Sequence, residues 1–415
     1  MGILQASSTQ TDYVVTFWLI CLVSYLIASQ AQPCWSYVVA AGASLGLALL
    51  TKATAYIYAF PFMVWWGISH LRKKWPHLVA ATLVLVTITV SINLPHFARN
   101  LSLFGSPLGP VQESTDHRYR YTNESFTIPA MFSNVVRNLA LHVGTPLPGI
   151  NSYIEGKIKR VLGSEASNPL TTWGKTVFFI RSTSLQEDTA GNPLHFVLIV
   201  SSLVILALSQ KVRKELLVEY SITLMASFLL FCLVLRWQPF HSRLHLPLFV
   251  LFAPVVGIAF SRIGGAKTAY PLAVVLIFGA LPWVFMNHSR PLTGAENILN
   301  TSRIEQYFAS RQNLMSPYIE ATNFVIQRNC SDIGLSMGND HWEYPFWVLL
   351  QKEDNERLRI EHVEVQNVSE RIPIHNFTPC VIIETRGRDR QEIEIGQNVY
   401  SREWAQGNVS VFVEQ

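Results

Sequence analysis

The chain has 415 residues, of which 49% are hydrophobic and only 14% charged, where an ordinary soluble domain carries roughly 25% charged residues. With a mean hydropathy of +0.24 and 12% aromatic residues, the composition excludes a disordered chain and a purely soluble enzyme. The net charge of +4 is too mild for a nucleic-acid partner, and no basic stretch is interleaved with exposed aromatics outside the apolar runs.

A membrane helix needs about 20 mostly apolar residues. Runs of that kind occupy 13–30, 36–51, 53–70, 77–95, 193–209, 216–235, 246–262 and 268–286. The chain therefore reads as a mainly α, polytopic, integral membrane protein of eight transmembrane helices over 1–289, with a small C-terminal α/β domain over 290–415. Arg72, Lys73 and Lys74 follow the third run, Lys211, Arg213 and Lys214 the fifth, and Arg262 and Lys267 the seventh. Lys and Arg concentrate in cytoplasmic loops, so these three loops are expected on the cytoplasmic side of a plasma or inner membrane. The long loop 96–192 and the C-terminal domain are then extracytoplasmic. Sequons beginning at Asn100, Asn123, Asn287, Asn300, Asn329, Asn367, Asn376 and Asn408 all fall on that outer side.

Within the long loop, Pro129–Val143 and Tyr153–Leu162 read as amphipathic helices. They lie in the headgroup plane or pack on the membrane domain. In the C-terminal domain, Ser316–Gln327 and Trp342–Lys352 read as helices. Ile333–Met337, Leu358–Val365, Cys380–Thr385 and Val409–Val413 read as strands. No CxxC or His/Cys cluster marks a structural zinc site. Cys330 and Cys380 are a disulfide candidate if their domain faces an oxidising compartment.

Asp12 is the isolated carboxylate of the N-terminal region, because no Asp or Glu occurs from Tyr13 to Gln112. It reads either as a helix N-cap or as a catalytic acid that binds a metal or supports a general base. Basic groups gather on the same side: Lys52 between two runs, His96 and Arg99 in LPHFARN, and Arg236, His241, Arg243 and His245 in RWQPFHSRLHLP. Charge at membrane depth is costly and marks a substrate path, and guanidinium groups match phosphate geometry. Lys52, Arg99, Arg236 and Arg243 are therefore candidate ligands of a lipid phosphate, with His96, His241 and His245 in supporting places. Among the loop acids Glu113, Asp116, Glu124, Glu187 and Asp188, the last two lead directly into the fifth run as EDTAGNPLHF and are further supporting candidates.

The stretches SSTQTDYVVTFWL, GLALLTKATAYIYAFP, LPHFARNLSLFGSPLGP and RWQPFHSRLHLP, followed by a polar C-terminal domain, resemble the C superfamily of membrane glycosyltransferases. Within it the chain is most similar to the branch of protein O-mannosyltransferases and the aminoarabinose transferase of lipid A. EDTAGNPLHF and NDHWEYPFWVLL look typical of a bacterial subgroup. The resemblance implies a polyprenyl-phosphate sugar donor used on the extracytoplasmic face, with transfer by inversion to a hydroxyl of a lipid, glycan or protein acceptor. It matches Asp12 to the acidic position before a membrane helix, Lys52 to a Leu-Thr-Lys position, and Arg99 and Arg243 to basic positions near the donor phosphate. It implies a divalent cation as a helper. It also places the family's first outer loop, with its principal acid, upstream of Met1, so the chain is expected to be truncated or to work with a separately encoded N-terminal half. Two rival readings are a transporter or lipid flippase, and a non-catalytic partner in cell-envelope glycan assembly. The few ionisable residues inside the runs, Glu219 among them, disfavour transport.

Overall fold

The computed structural model describes residues 1–73, 75–110, 120–338, 340–351, 358–372 and 376–415. Lys74, Glu113, Asp116 and Lys352 lie outside them. The chain divides into two compact units, Met1–Gly294 and Ala295–Gln415.

The first unit is helical. After a short α1 (Gly2–Ala6) come α2 (Asp12–Ala31), α3 (Trp35–Thr51), α4 (Thr54–Arg72) and α5 (Leu78–Phe104). The loop region carries α6 (Ile128–Ala140) and α7 (Pro148–Leu162). There follow α8 (Pro193–Leu208), α9 (Glu215–Val234), the four-residue α10 (His241–Leu244), α11 (Leu246–Gly264) and α12 (Ala266–Phe285). Five of these, α2, α5, α9, α11 and α12, are long and apolar enough to cross a membrane. The helices α3 and α8 have 17 and 16 residues, and α4 is diluted by its tyrosines, tryptophans, Pro61 and His70. By length and composition, five helices among the described residues are thus long enough to span.

Side-chain bonds fix how the helices run. Lys52 at the end of α3 reaches Asp12 at the start of α2, whereas Trp66 of α4 donates to Ser29 near the far end of α2. Ser227 of α9 donates to the Tyr58 carbonyl, and Trp65 to Glu219, so α9 is antiparallel to α4. Asp12, Lys52, Arg236 and Arg243 therefore belong to one end of the bundle. Arg72, Lys73 and Glu219 belong to the other, with Lys73 donating to the Gln30 carbonyl at 2.6 Å. Helices α3 and α5 run parallel and close. A Cβ on Gly42 would meet the Leu85 carbonyl oxygen at 3.0 Å, and one on Gly46 would meet Ile92 Cδ1 at 2.9 Å. Small residues let membrane helices approach like this. Thr89 and Asn93 then donate to the Gly42 and Gly46 carbonyls.

The fourth apolar run ends later than expected. Helix α5 continues through Pro95 to Phe104 and stops at Gly105, whose φ of 67° suits a left-handed cap. His96 and Arg99 are consequently on the helix rather than after it. Helix α6 is amphipathic in the opposite sense from a helix floating at an interface. Ser133, Asn134, Arg137 and Asn138 are buried in the protein, while Ile128 and Phe132 are exposed. Three sequons are also closed: Asn100, Asn123 and Asn287 are buried, and each uses its side-chain nitrogen in a hydrogen bond.

The second unit carries α13 (Arg303–Tyr307), α14 (Met315–Gln327) and α15 (Tyr344–Leu350) with a six-stranded sheet. The strands are β1 (Asp332–Ser336), β2 (Arg359–His362), β3 (Val381–Glu384), β4 (Glu392–Ile395), β5 (Asn398–Gln406) and β6 (Val409–Glu414), in the order β2-β1-β3-β6-β5-β4. The first three are parallel and the last three antiparallel. Strands β4 and β5 are additions to the expected set. They are polar on one face, and the turns joining them to their neighbours pivot on Gly396 and Gly407 at positive φ. Cys330 and Cys380 precede the paired parallel strands β1 and β3 and are joined by a disulfide, Cα–Cα 6.0 Å.

Candidate functional site

Asp12 opens α2 but does not cap it; Thr11 is the N-cap residue. Its side chain is 1% exposed and accepts from Lys52 Nζ at 2.6 Å, with Lys52 21% exposed. The pair follows from the α2–α3 hairpin: α3 ends at Thr51, one helix length from the turn, and Lys52 follows it in extended conformation. Asp12 Oδ2 is buried and has no hydrogen-bond partner among the described residues. A buried carboxylate oxygen left open is costly, and here it lies beside a cation.

Two further cations remain reachable at this end. Arg99 is exposed, and its Nη2 lies 3.4 Å from His96 Nδ1. The other nitrogen of His96, Nε2, faces the Asn100 side chain at 3.0 Å. Arg243, on α10, is half-buried and pairs with Asp188 at 2.6 Å, while Ser242 donates to the Asp188 carbonyl. Glu187 is engaged elsewhere, with Arg290 at 3.3 Å and Ser289 at 3.2 Å.

Arg236 departs from its expected role. Its segment is held between two others: Arg236 N donates to the Tyr121 carbonyl and Trp237 N to that of Thr171. The guanidinium is buried, donates to the Thr122 carbonyl at 3.1 Å and pairs with Glu124 at 2.8 Å. In these contacts it braces the loop. His241 and His245 are engaged within the protein in a similar way. Both are fully buried. His241 Nδ1 lies 2.9 Å from Asn138 Oδ1, and His245 Nδ1 lies 2.9 Å from His142 Nε2. Since Asn192 N donates to His142 Nδ1, His142 carries its proton on Nε2 and donates to His245. Burial holds all three imidazoles well below the usual histidine range, His245 at about 3, so they are neutral struts.

The residue that sequence reasoning missed is Arg137. It is wholly buried on α6, stacks on Trp237 at 5.5 Å and donates to Thr172 at 2.7 Å, Thr171 at 2.9 Å and Asn134 at 2.5 Å. Burial lowers its pKa to about 10. No sequence signal separates it from the other loop arginines, because Thr171 and Thr172 lie 34 and 35 positions away.

A divalent cation finds no ready place here. Among the described residues, no three His, Cys, Asp or Glu side chains gather as ligands, and Asp12 Oδ1 already faces an ammonium.

Residues 1–92 match the family model described as dolichyl-phosphate-mannose-protein mannosyltransferase. The match covers 92 of the chain's 415 residues. It spans Asp12, Lys52 and helices α2 to α4, but neither Arg99, nor the long loop, nor the second unit. No curated protein and no solved structure matches the chain.

Proposed function

We propose that the chain transfers a sugar from a polyprenyl-phosphate carrier to an acceptor hydroxyl, at the bundle end that bears Asp12 and Lys52. The observation that carries this reading is the buried Asp12–Lys52 pair with its open Oδ2, inside the stretch that matches the mannosyltransferase family. In the proposed step the acceptor oxygen attacks the anomeric carbon as the bond from that carbon to the phosphate oxygen breaks, and configuration inverts. The acceptor proton passes to a carboxylate, and polyprenyl phosphate leaves with the bonding electron pair. Lys52, Arg99 and Arg243 offset the charge growing on that phosphate. Asp12 is the acid assigned to that step in this proposal. Asp188 and His96 are positioning residues for Arg243 and Arg99.

This end faces the extracytoplasmic side in the proposal. Arg72, Lys73, Lys211, Arg213 and Arg262 flank the opposite helix ends, as a cytoplasmic surface requires. The Cys330–Cys380 disulfide supports an oxidising compartment for the second unit.

The test is the purified full chain in mild detergent with a polyprenyl-phosphate-linked hexose or pentose. Release of polyprenyl phosphate is expected, and both Asp12→Asn and Arg243→Gln should reduce it at least tenfold. Undiminished release in both variants would overturn the site. Reporter fusions after Arg213 and Arg290 test the orientation; a cytoplasmic signal from the second would overturn it.

A further inference from the structure

The helices α4 and α9 leave between them a groove that the proposed reaction does not use. Its volume is about 500 Å³. The walls are apolar, formed by Phe60, Val64, Ile68, Ile222 and Leu230, with Ala226 leaving room at its floor. Phe60 is 60% and Ile222 62% exposed, so in a bilayer both meet lipid. At one end stand Arg72 and Glu219, the only two charged residues lining it among the described residues.

Those two are paired, Arg72 Nη1 to Glu219 Oε1 at 2.7 Å. Trp65 Nε1 fixes the second oxygen of Glu219 at 2.9 Å. The pair is unequal in exposure: the Arg72 side chain is 66% exposed and that of Glu219 25%. One side chain thus offers outward-facing guanidinium N–H groups, and the other a held carboxylate with lone pairs to spare. From Phe60 to Arg72 is 12 residues of helix, or about 18 Å. That is close to the hydrocarbon depth of a single leaflet, roughly half of ~30 Å. The charged end lies with Lys73 and the Gln30 carbonyl, at the bundle end opposite Asp12 and Lys52.

We propose that this groove is a binding site for one phospholipid whose zwitterionic headgroup carries a primary amine. Arg72 takes the phosphate in the forked geometry suited to it, Glu219 accepts from the ammonium, and one acyl chain fills the groove between α4 and α9. An anionic headgroup would satisfy Arg72 and set its remaining charge against Glu219. A trimethylated headgroup would bring no N–H donor. An ionisable residue inside a span marks a functional site with its partner, and here the pair matches the two charges of such a lipid in sign and order. The site is independent of the proposed transfer reaction and requires only that the bundle sit in a bilayer.

The test is native mass spectrometry of the full chain titrated with three lipids of matched acyl chains. Their headgroups are phosphoethanolamine, its N-trimethyl counterpart and phosphoglycerol. The wild type should retain the primary-amine lipid at least fivefold over the other two. Glu219→Gln, which keeps an acceptor for Trp65, should erase that preference while phosphate lipids still bind. Ala226→Trp, which fills the groove without touching the ion pair, should lower retention of all three. Equal retention by the wild type, a preference for the phosphoglycerol lipid, or unchanged binding in Ala226→Trp would overturn the proposal. So would a dimer that Ala226→Trp dissolves, because a second copy would then occupy the groove.

Discussion

Replacing Lys52 with methionine should do more damage than replacing its partner. The Nζ–Oδ1 distance is 2.6 Å, and at an effective dielectric of ~20 two charges so close attract by about 6 kcal/mol. Desolvation offsets much of that, and it falls unevenly. Asp12 is 1% exposed and cannot reach water, whereas Lys52 is 21% exposed and can extend its ammonium outward. Lys52→Met leaves a buried carboxylate with both oxygens uncompensated, a loss of about 3–5 kcal/mol. Asp12→Asn leaves a neutral amide and a cation free to move, a loss of about 1–2 kcal/mol. The double variant removes both charges and should recover about 2 kcal/mol relative to Lys52→Met, as coupled neighbours do.

The assay is thermal unfolding of the full chain in one detergent, paired with release of polyprenyl phosphate. The midpoint should be lowest for Lys52→Met, higher for the double variant and higher again for Asp12→Asn. Release should be lost in all three, because recovered stability does not restore a carboxylate. An equal midpoint for Lys52→Met and Asp12→Asn would refute the electrostatic argument. Wild-type release by the double variant would make the pair a strut of the fold.

Three other outcomes follow from the packing. Gly46→Val forces a Cβ to within 2.9 Å of Ile92 and should cost about 1–3 kcal/mol; an unchanged unfolding midpoint would show that α3 and α5 separate freely. Reduction of Cys330–Cys380, which closes a loop of 50 positions, should destabilise the second unit by about 4 kcal/mol. Faster hydrogen exchange in β1 and β3 reports it, and identical exchange in both redox states would contradict it. Finally, His142, His241 and His245 are held neutral, with folded pKa values depressed by burial. The unfolded chain binds protons first as pH falls, so stability is fully present above pH ~6.5. Below that it drops by up to about 1.4 kcal/mol per group and pH unit, continuing for His245 until its folded value of about 3. A midpoint flat from pH 7 to 5 would refute their buried placement.

The helices were legible because burial in lipid demands long apolar runs, and such runs have few other solutions. Their ends were less so. Helix α5 runs on past Pro95, where the apolar run was expected to end; membrane helices tolerate such a proline when neighbouring groups satisfy the freed backbone. In the second unit, β1, β3 and β6 announced themselves as apolar stretches. Strands β4 and β5 did not, since an exposed antiparallel hairpin needs only half its residues apolar. Asp12 and Lys52 were each visible as isolated charges, but their pairing depends on the α2–α3 turn, 40 positions of chain folded back on itself.

The arginines show most clearly what a sequence withholds. Arg99, Arg137, Arg236 and Arg243 all stand in polar stretches beside apolar ones, and by composition each is equally fit to hold a phosphate. Their fates diverge because a guanidinium is retained in the interior only where enough acceptors converge on its donors. Asn134, Thr171 and Thr172 converge on Arg137, and Glu124 with the Thr122 carbonyl on Arg236. Both are thereby committed to holding the loop against the helices. Arg243 meets one carboxylate and Arg99 one imidazole, so each keeps donors to spare at the end where Lys52 and Asp12 meet. The two locked arginines hold the loop in place, and the two underused ones are those assigned to the phosphate in the proposed reaction. That division depends on which loops return to this end of the bundle, and the loop contacts of the two locked arginines reach 29 to 114 positions along the sequence.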